Sequence, residues 1–224
     1  TIRERAVALL SVAHPSFRRE LQEAAEKLGY LDAGHILPVM EEAYAVDLEA
    51  RLRFRDLDLF VRPIKPADER GLKDLFYSQS KETTYLRFGI PLKALSERQF
   101  QELVAIDYRR SMAVAGFVRE RGRERMVAVA RYYAHPGESL AEAAFTVHDR
   151  CQSRGIGSFL VDYLTWIARE KGLEGFTAEV LVANPRMRHV LRARFDKVAE
   201  TTAGGTTTVT ALFRDWKGKG NPAK

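Results

Sequence analysis

Apolar positions along this chain follow two rhythms, one typical of helices and one of strands. The first runs from residue 1 to about residue 46, a stretch that reads as helical. Within it, "SFRRELQEAAEKLG" sets Phe17, Leu21, Ala24, Ala25 and Leu28 on one face. Ser16 is placed to cap that helix after Pro15, and Gly29 to close it. A face of that kind is expected to pack against something. Near "LEARLRF" and "DLFVRPI" the rhythm changes to strand alternation, with "DLD" (Asp56 to Asp58) as the expected turn. A boundary therefore falls close to residue 46.

The two rhythms then mix. "PADERGLKDLFYS" predicts a helix with Pro66 in its first turn, where the missing N–H costs little. "SERQFQELVAI" carries a capping box, Ser96 with Gln99, ahead of an apolar face at Phe100, Leu103 and Val104. "SMAVAGFV" and "RMVAVARYYA" read as paired strands, and "LAEAAFTVHD" as a third. A helix follows with Ile156, Phe159, Leu160, Tyr163, Leu164 and Ile167 at helical spacing. "GFTAEVLV" is another strand. "NPRMRHVLRARF" is a short helix with Asn184 as cap and Pro185 at its first position. "TTAGGTTTVTALF" is a hairpin turned at Gly204 and Gly205. The fold class is α+β: antiparallel strands leading into one strand–helix–strand crossover, with helices packed on the sheet.

Composition narrows the field. A chain of 224 residues with 46% hydrophobic content can bury one real core, or one domain with a small appendage. No run approaches the ~18 apolar residues of a membrane span. Neither end reads as a signal peptide or a lipidation motif. The chain starts at Thr1, which suggests a processed product or a piece of a longer protein. One cysteine, Cys151, leaves no internal disulfide and no multi-cysteine metal site. Five scattered histidines argue against zinc, and a reducing cytoplasm fits best. The net charge of +6 suits an anionic ligand. No nucleic-acid recognition signature accompanies it. The densest basic run, "RERGRER" (Arg119 to Arg125), lies between two strands and reads as a solvated hairpin tip.

The candidate chemistry begins at "RCQSRGIGSFL", where Gly155 and Gly157 stand directly before a helix. Unpaired N–H groups and the positive end of the helix dipole make that point an anion site. A nucleotide-triphosphate loop would need Lys after Gly157. A dinucleotide fingerprint would need a small residue where Leu160 stands. Gln152-Ser153-Arg154-Gly155-Ile156-Gly157 instead fits the pattern [QR]-x-x-G-x-[GA]. Taken alone, the stretch also fits a glycine turn that only joins a strand to a helix.

In its context the loop resembles the coenzyme A pyrophosphate loop of the GNAT superfamily of N-acetyltransferases. There the loop lies between a strand and a helix, with a further strand next, and all three are present here. "AEVLVANPRM" is similar to the superfamily's following motif. The resemblance covers about residues 50 to 213. "VRPIKPADE", "TTYLRFG", "LSERQFQELVAIDYRRSMAVAGF", "AEAAFTVHDRCQSRGIGS" and "VLVANPRMRHV" look, in that order, like the acetyltransferase domain of bacterial Pat-type protein lysine acetyltransferases. "RERAVALLSVAHPSFRRELQEAAEKLGY" resembles the closing helices of acetyl-CoA hydrolases and CoA-transferases; the alternative is an ordinary amphipathic helical lead-in. The resemblances imply residues 1–46 as a remnant of a CoA-transferase-like domain, 47–216 as a GNAT acetyltransferase domain, and 217–224 as a disordered tail.

Moving an acetyl group from a thioester to an amine requires a deprotonated amine, a polarised carbonyl and alignment of the two reactants. Glu142 is the candidate base. It sits inside the apolar strand "LAEAAFTV", where a carboxylate is costly without a task or a partner, and partial burial would raise its pKa into a useful range. The Pat-type resemblance assigns the matching Glu that role. The alternative is a carboxylate at the sheet edge paired with an arginine. His148 and Asp149 are weaker candidates that more naturally shape the turn. By resemblance, the backbone of Phe145, Thr146 and Val147 runs beside the pantetheine arm, and Gln152, Ser153, Arg154, Gly155, Ile156, Gly157 and Ser158 hold the pyrophosphate. Arg150 or Arg154 could reach phosphate oxygens; the alternative for either is a side chain that simply faces solvent. Asn184 is both a helix cap and, by analogy, a coenzyme contact. Many superfamily members carry a Tyr where this chain has Leu191. Cys151 has no His/Asp pair to activate it and is not a nucleophile. Tyr85, Arg87 and Phe88 line the acceptor side or, alternatively, form a small core strand.

The expected function is acetyl-CoA-dependent acetylation of a protein lysine, with an enzyme of acyl-CoA metabolism as one candidate acceptor. No metal, nucleic acid or membrane is involved in that reading. Two alternatives stay open: acetylation of a small amine, and a non-catalytic acyl-CoA sensor attached to a CoA-transferase.

Overall fold

The computed structural model describes residues 1–35, 45–89 and 94–224. Its centre is an eight-stranded sheet with strand order β1-β2-β3-β4-β5-β6-β8-β7. The strands are β1 (Ala50–Phe54), β2 (Leu57–Pro63), β3 (Ser111–Glu120), β4 (Arg123–Ala134), β5 (Leu140–Val147), β6 (Gly175–Leu181), β7 (Ala199–Ala203) and β8 (Thr206–Leu212). All neighbours run antiparallel except β5 and β6, which are parallel and joined through a helix. This is the mixed, mostly antiparallel sheet with one crossover that the sequence suggests.

β3 and β4 are buried over most of their length because both faces of the sheet are covered there. The crossover helix α6 (Ile156–Glu170) lies on one face and buries Ile156, Leu160, Tyr163, Leu164 and Ile167. Tyr163 is fully buried, so its hydroxyl needs an acceptor, and it donates to Leu48 O at 2.7 Å. The helices α3 (Glu69–Ser78), α4 (Lys81–Phe88) and α5 (Glu97–Val104) precede β3. Phe76 of α3 and Phe100 of α5 meet edge to face, with ring centres 5.7 Å apart. The capping box on α5 forms as expected, with Ser96 Oγ accepting from Gln99 N–H. At Gly175 a Cβ would lie 2.8 Å from Ala211 O, so β6 can enter between β5 and β8 only with glycine there.

The β1–β2 turn departs from expectation. It is Arg55-Asp56, one residue earlier than "DLD", with Leu57 and Asp58 already in β2. The pairing of Phe54 with Leu57 leaves room for only two turn residues, and Arg55 takes a left-handed φ of 55°. The basic run at 119–125 does end in a hairpin tip, Arg121-Gly122, both at positive φ. Gly204 and Gly205 turn the β7–β8 hairpin.

The N-terminal segment is less helical than its pattern implies. It holds α1 (Ile2–Val12) and α2 (Pro15–Lys27). α2 starts at Pro15, ahead of Ser16, which is therefore not its cap. Gly29, at φ 69°, closes it, with Tyr30 N–H donating back to Ala25 O. The face expected to pack is mostly open: Ala25 is buried, whereas Phe17 is 58% and Leu28 65% exposed. Val7, Leu10, Ala25 and Leu31 make a small separate core. Arg3 ties this pair to the main body through Glu69 and Glu97, each at 3.6 Å. Residues 36–44, the end of the expected helical stretch, lie outside the described residues.

Where the sequence suggests a disordered tail from residue 217, the structure has contacts. Trp216 is buried and donates from Nε1 to Asp162 at 2.8 Å, Lys217 N–H donates to Arg194 O, and Ala223 packs on the core. The buried tryptophan just before the tail holds it against the body. Among the described residues no helix is long and apolar enough to cross a membrane.

Candidate active site

Two neighbouring strands part in the middle of the sheet. β5 pairs with β4 along its whole length, from Ala141 opposite Ala134 to Val147 opposite Ala128. With β6 it pairs only at Leu140, Ala141 and Glu142. Beyond that point β6 stays with β8 as far as Leu181. Among the described residues, the edge of β5 that faces β6 has no strand neighbour from Ala143 to Val147, inside the sheet. Such an edge offers backbone donors and acceptors to an extended ligand. Phe145, Thr146 and Val147 all lie on it and are half-buried.

Glu142 sits where the strands part. Its side chain is exposed, so the burial suggested by its apolar neighbours is not found. Alternation along β5 explains this: Ala141 and Ala143 face the core, while Glu142, Ala144 and Thr146 share the other face. The alternative of an arginine-paired carboxylate is not formed either. Among the described residues Glu142 makes no ion pair, although its charge is felt by Arg87 and Arg131.

The glycine loop lies past the end of β5. A 3-10 turn at Asp149–Cys151 leads into Gln152, and α6 starts at Ile156. Ser153 takes a left-handed φ of 59°, a conformation uncommon outside glycine. Gly155 needs its freedom, with a φ of 90° as the residue that caps α6. Gly157 has an ordinary backbone, yet a Cβ there would meet nothing within 4 Å. Its absent side chain thus serves space and not conformation. The N–H groups of Ile156, Gly157 and Ser158 find no acceptor among the described residues, as expected in a first helical turn. Ile156 is fully buried, so only its N–H can serve a ligand. An open cradle of backbone donors at a positive helix end fits a pyrophosphate. Gln152 is held from three sides: its amide donates to Val147 O at 3.0 Å and Thr83 Oγ1 at 3.3 Å, and its Oε1 accepts from Arg186 at 3.4 Å. Arg154, a candidate phosphate contact, is paired with Asp56 in the β1–β2 turn, whereas Arg150 is exposed.

Asp149 does more than shape the turn. It accepts from Ser80 N–H at 2.8 Å, Ser80 Oγ at 2.7 Å and Thr83 Oγ1 at 2.6 Å. Burial pushes its carboxyl up, but these hydrogen bonds outweigh it and hold the group below its ordinary range. The start of α4 is thereby fastened to the glycine loop. The sequence gives no hint of this link, because its partners lie 69 and 66 positions away. His148 is buried and accepts from Arg150 N–H, and burial lowers its pKa, so it belongs to the turn. Cys151 is buried and its thiol is pushed up by burial, as suits a residue that is not a nucleophile.

α7 (Pro185–Arg194) follows β6. Asn184 caps it, its side chain accepting from Met187 N–H at 3.1 Å. Leu191 is buried on this helix. The segment "YLRF" is the end of α4, not a core strand, with Tyr85 exposed. Arg87 and Phe88 line a cavity of about 50 Å³ with Arg131, Ala144 and Thr146. Arg131 is absent from the residues singled out by sequence. The signal for it is the one used for Glu142, a charge inside an apolar strand, "VAVARYY".

Comparison with known proteins agrees with this geometry. The model of the acetyltransferase (GNAT) family matches residues 77–195. An acetyltransferase of Pseudomonas aeruginosa is 31% identical over 130 residues, 58% of this chain and 70% of that protein. Acetyltransferase Pat of Mycolicibacterium smegmatis is 34% identical over 136 residues, 59% of this chain but only 39% of that longer protein. Among solved structures, the GNAT domain of S. lividans PAT superposes with a TM-score of 0.67 at 28% identity, covering 76% of this chain and 99% of that one.

Proposed function

This chain belongs to the acetyltransferase (GNAT) family, and from that premise we propose that it acetylates a lysine side chain of a protein, with Glu142 as the general base. The observation that carries the reading is the position of Glu142, at the point where β5 leaves β6 and its edge becomes free. Acetyl-CoA, the donor in this family, supplies the activated acyl thioester. The N–H groups of Ile156, Gly157 and Ser158 bind its pyrophosphate, and the free edge of β5 at Phe145 to Val147 holds the pantetheine arm. A backbone N–H of that edge polarises the acyl carbonyl as its oxygen gains charge. A lysine amine arrives mostly protonated, since its ordinary pKa is ~10.4. The Glu142 carboxylate, exposed on the face that also carries Ala144 and Thr146, takes that proton, directly or through a water. With Leu191 buried on α7, that helix supplies no acid there; the departing thiolate, of ordinary thiol pKa ~8.5, leaves unaided, and the second amine proton, shed by the adduct, reaches it through solvent. The likeness to Pat of M. smegmatis and to the PAT domain of S. lividans supports a protein acceptor over a small amine.

Glu142→Gln is the test. It should lower kcat on a lysine peptide by about 10²–10³-fold at neutral pH, while acetyl-CoA affinity measured by calorimetry changes less than about twofold. A rate within threefold of the parent removes Glu142 from the base role. Tight acetyl-CoA binding with no turnover on any amine would favour a sensor instead.

A further inference from the structure

The cavity beside Glu142 has a composition that acetyl transfer does not call for. Leu75, Phe76, Phe100 and Val129 make much of its wall, yet two guanidinium groups, Arg87 and Arg131, also line it. Arg131 stands on β4 opposite Ala144 of β5, and both line the cavity. One of its donors goes to Leu103 O at 3.2 Å. Arg87, near the end of α4, makes no hydrogen bond or ion pair among the described residues; its guanidinium lies 4.9 Å from the centre of the Phe88 ring. Burial lowers the pKa of both groups, and Arg131, further lowered by Arg87, is pushed down to about 10. Arg131 therefore stays cationic at neutral pH, and a guanidinium such as that of Arg87 keeps its proton in proteins. The carboxylate that faces them is Glu142, which is exposed and bonded to neither. Among the described residues, two partly dehydrated cations thus share the field of Glu142. An unmatched charge in an apolar wall is costly, and a bound anion relieves that cost. The planar fork of a guanidinium matches a carboxylate best.

We propose that this cavity is a carboxylate subsite, in which Arg87 and Arg131 hold an acid group of a substrate whose reacting end lies near Glu142. The inference rests on the acyltransferase reading above and adds a substrate class to it. A cavity of about 50 Å³ has room for a carboxylate. The subsite adjoins the free edge of β5, because Ala144 and Thr146 belong to both. The acid therefore has two possible sources: the far end of a dicarboxylic acyl group on the donor, or an acidic residue next to the acceptor lysine.

The experiment has one arm for each source. In the donor arm, kcat/KM is compared for malonyl-CoA, succinyl-CoA and acetyl-CoA on one lysine peptide. In the acceptor arm, acetyl-CoA is used with two peptides that differ only in Glu or Gln beside the lysine. Each arm is run on the whole chain and on Arg87→Gln and Arg131→Gln. The subsite predicts that one arm favours the carboxylate at least tenfold, and that both variants reduce that preference below twofold. No preference in either arm, or a preference that both variants keep, overturns it. If Arg131→Gln does not fold, Arg87→Gln decides alone, since Arg87 makes no hydrogen bond among the described residues. A chain that acylates nothing overturns the acyltransferase reading instead. The subsite is then decided by NMR titration with propionate. Amide shifts at Ala144 and Thr146 that propionamide does not produce uphold it, and their absence overturns it.

Discussion

The donor loop and the arginine cavity sit on either side of one strand end and are built on opposite principles. The loop works with backbone groups: a helix start, a glycine at φ 90° and a second glycine that leaves space open. The cavity works with side chains that arrive from α4 and β4. A backbone site depends on local conformation and tolerates most changes of neighbouring side chains, provided the space above it stays clear. A side-chain site depends on elements held in register from afar. Here that register is kept by Asp149, which fastens α4 to the loop. The glycine loop and the helix that carries Arg87 are thus linked through one carboxylate.

Four measurements would break or sharpen this contrast. The largest effect is expected from Gly157→Trp, which fills the open cradle without straining the backbone. Acetyl-CoA affinity should fall at least ~100-fold, or ~2.7 kcal/mol, by calorimetry, with the helical circular dichroism unchanged. Retained affinity would sink the donor-loop reading. Next comes Asp149→Ala, which should raise KM for the acceptor peptide about fivefold, in line with ~1 kcal/mol for lost hydrogen bonds, while acetyl-CoA affinity stays within twofold. Because the native fold holds this carboxyl below its ordinary range, its contribution to stability is present at neutral pH and lost as pH falls through the folded pKa. Urea denaturation should show the cost of Asp149→Ala shrinking on acidification, and a cost that grows would refute the clamp. A smaller effect is expected from Asn184→Ala, where loss of a cap costs ~1 kcal/mol and ~2–4 °C in Tm. If acetyl-CoA affinity drops more than threefold as well, Asn184 also touches the coenzyme. The smallest is at Cys151, whose buried thiol should react with iodoacetamide at least ~10-fold more slowly than free cysteine.

Much of the proposed donor side is legible in the amino-acid sequence. "QSRGIG" before an apolar helix, "LAEAAFTV" ahead of it and "NPRM" after the next strand lie close together in the chain. Their meaning rests on helix starts, caps and alternation, which are local properties. The same local signals mislead where tertiary packing has the last word. The neighbours of Glu142 suggest burial, but alternation turns it outward. The face of α2 is patterned to pack, yet of its residues only Ala25 is buried.

What the sequence determined by itself was the sheet class, the order of elements apart from α4, and the glycine loop at the start of α6, because each follows from residues within one turn or one strand of each other. Only the tertiary structure decided where β5 would part from β6, that Asp149 would reach Ser80 and Thr83, and that Arg87 and Arg131 would share one cavity. Those facts depend on the closing of long loops, whose cost changes slowly with length, so spacing in the chain leaves no local trace of them.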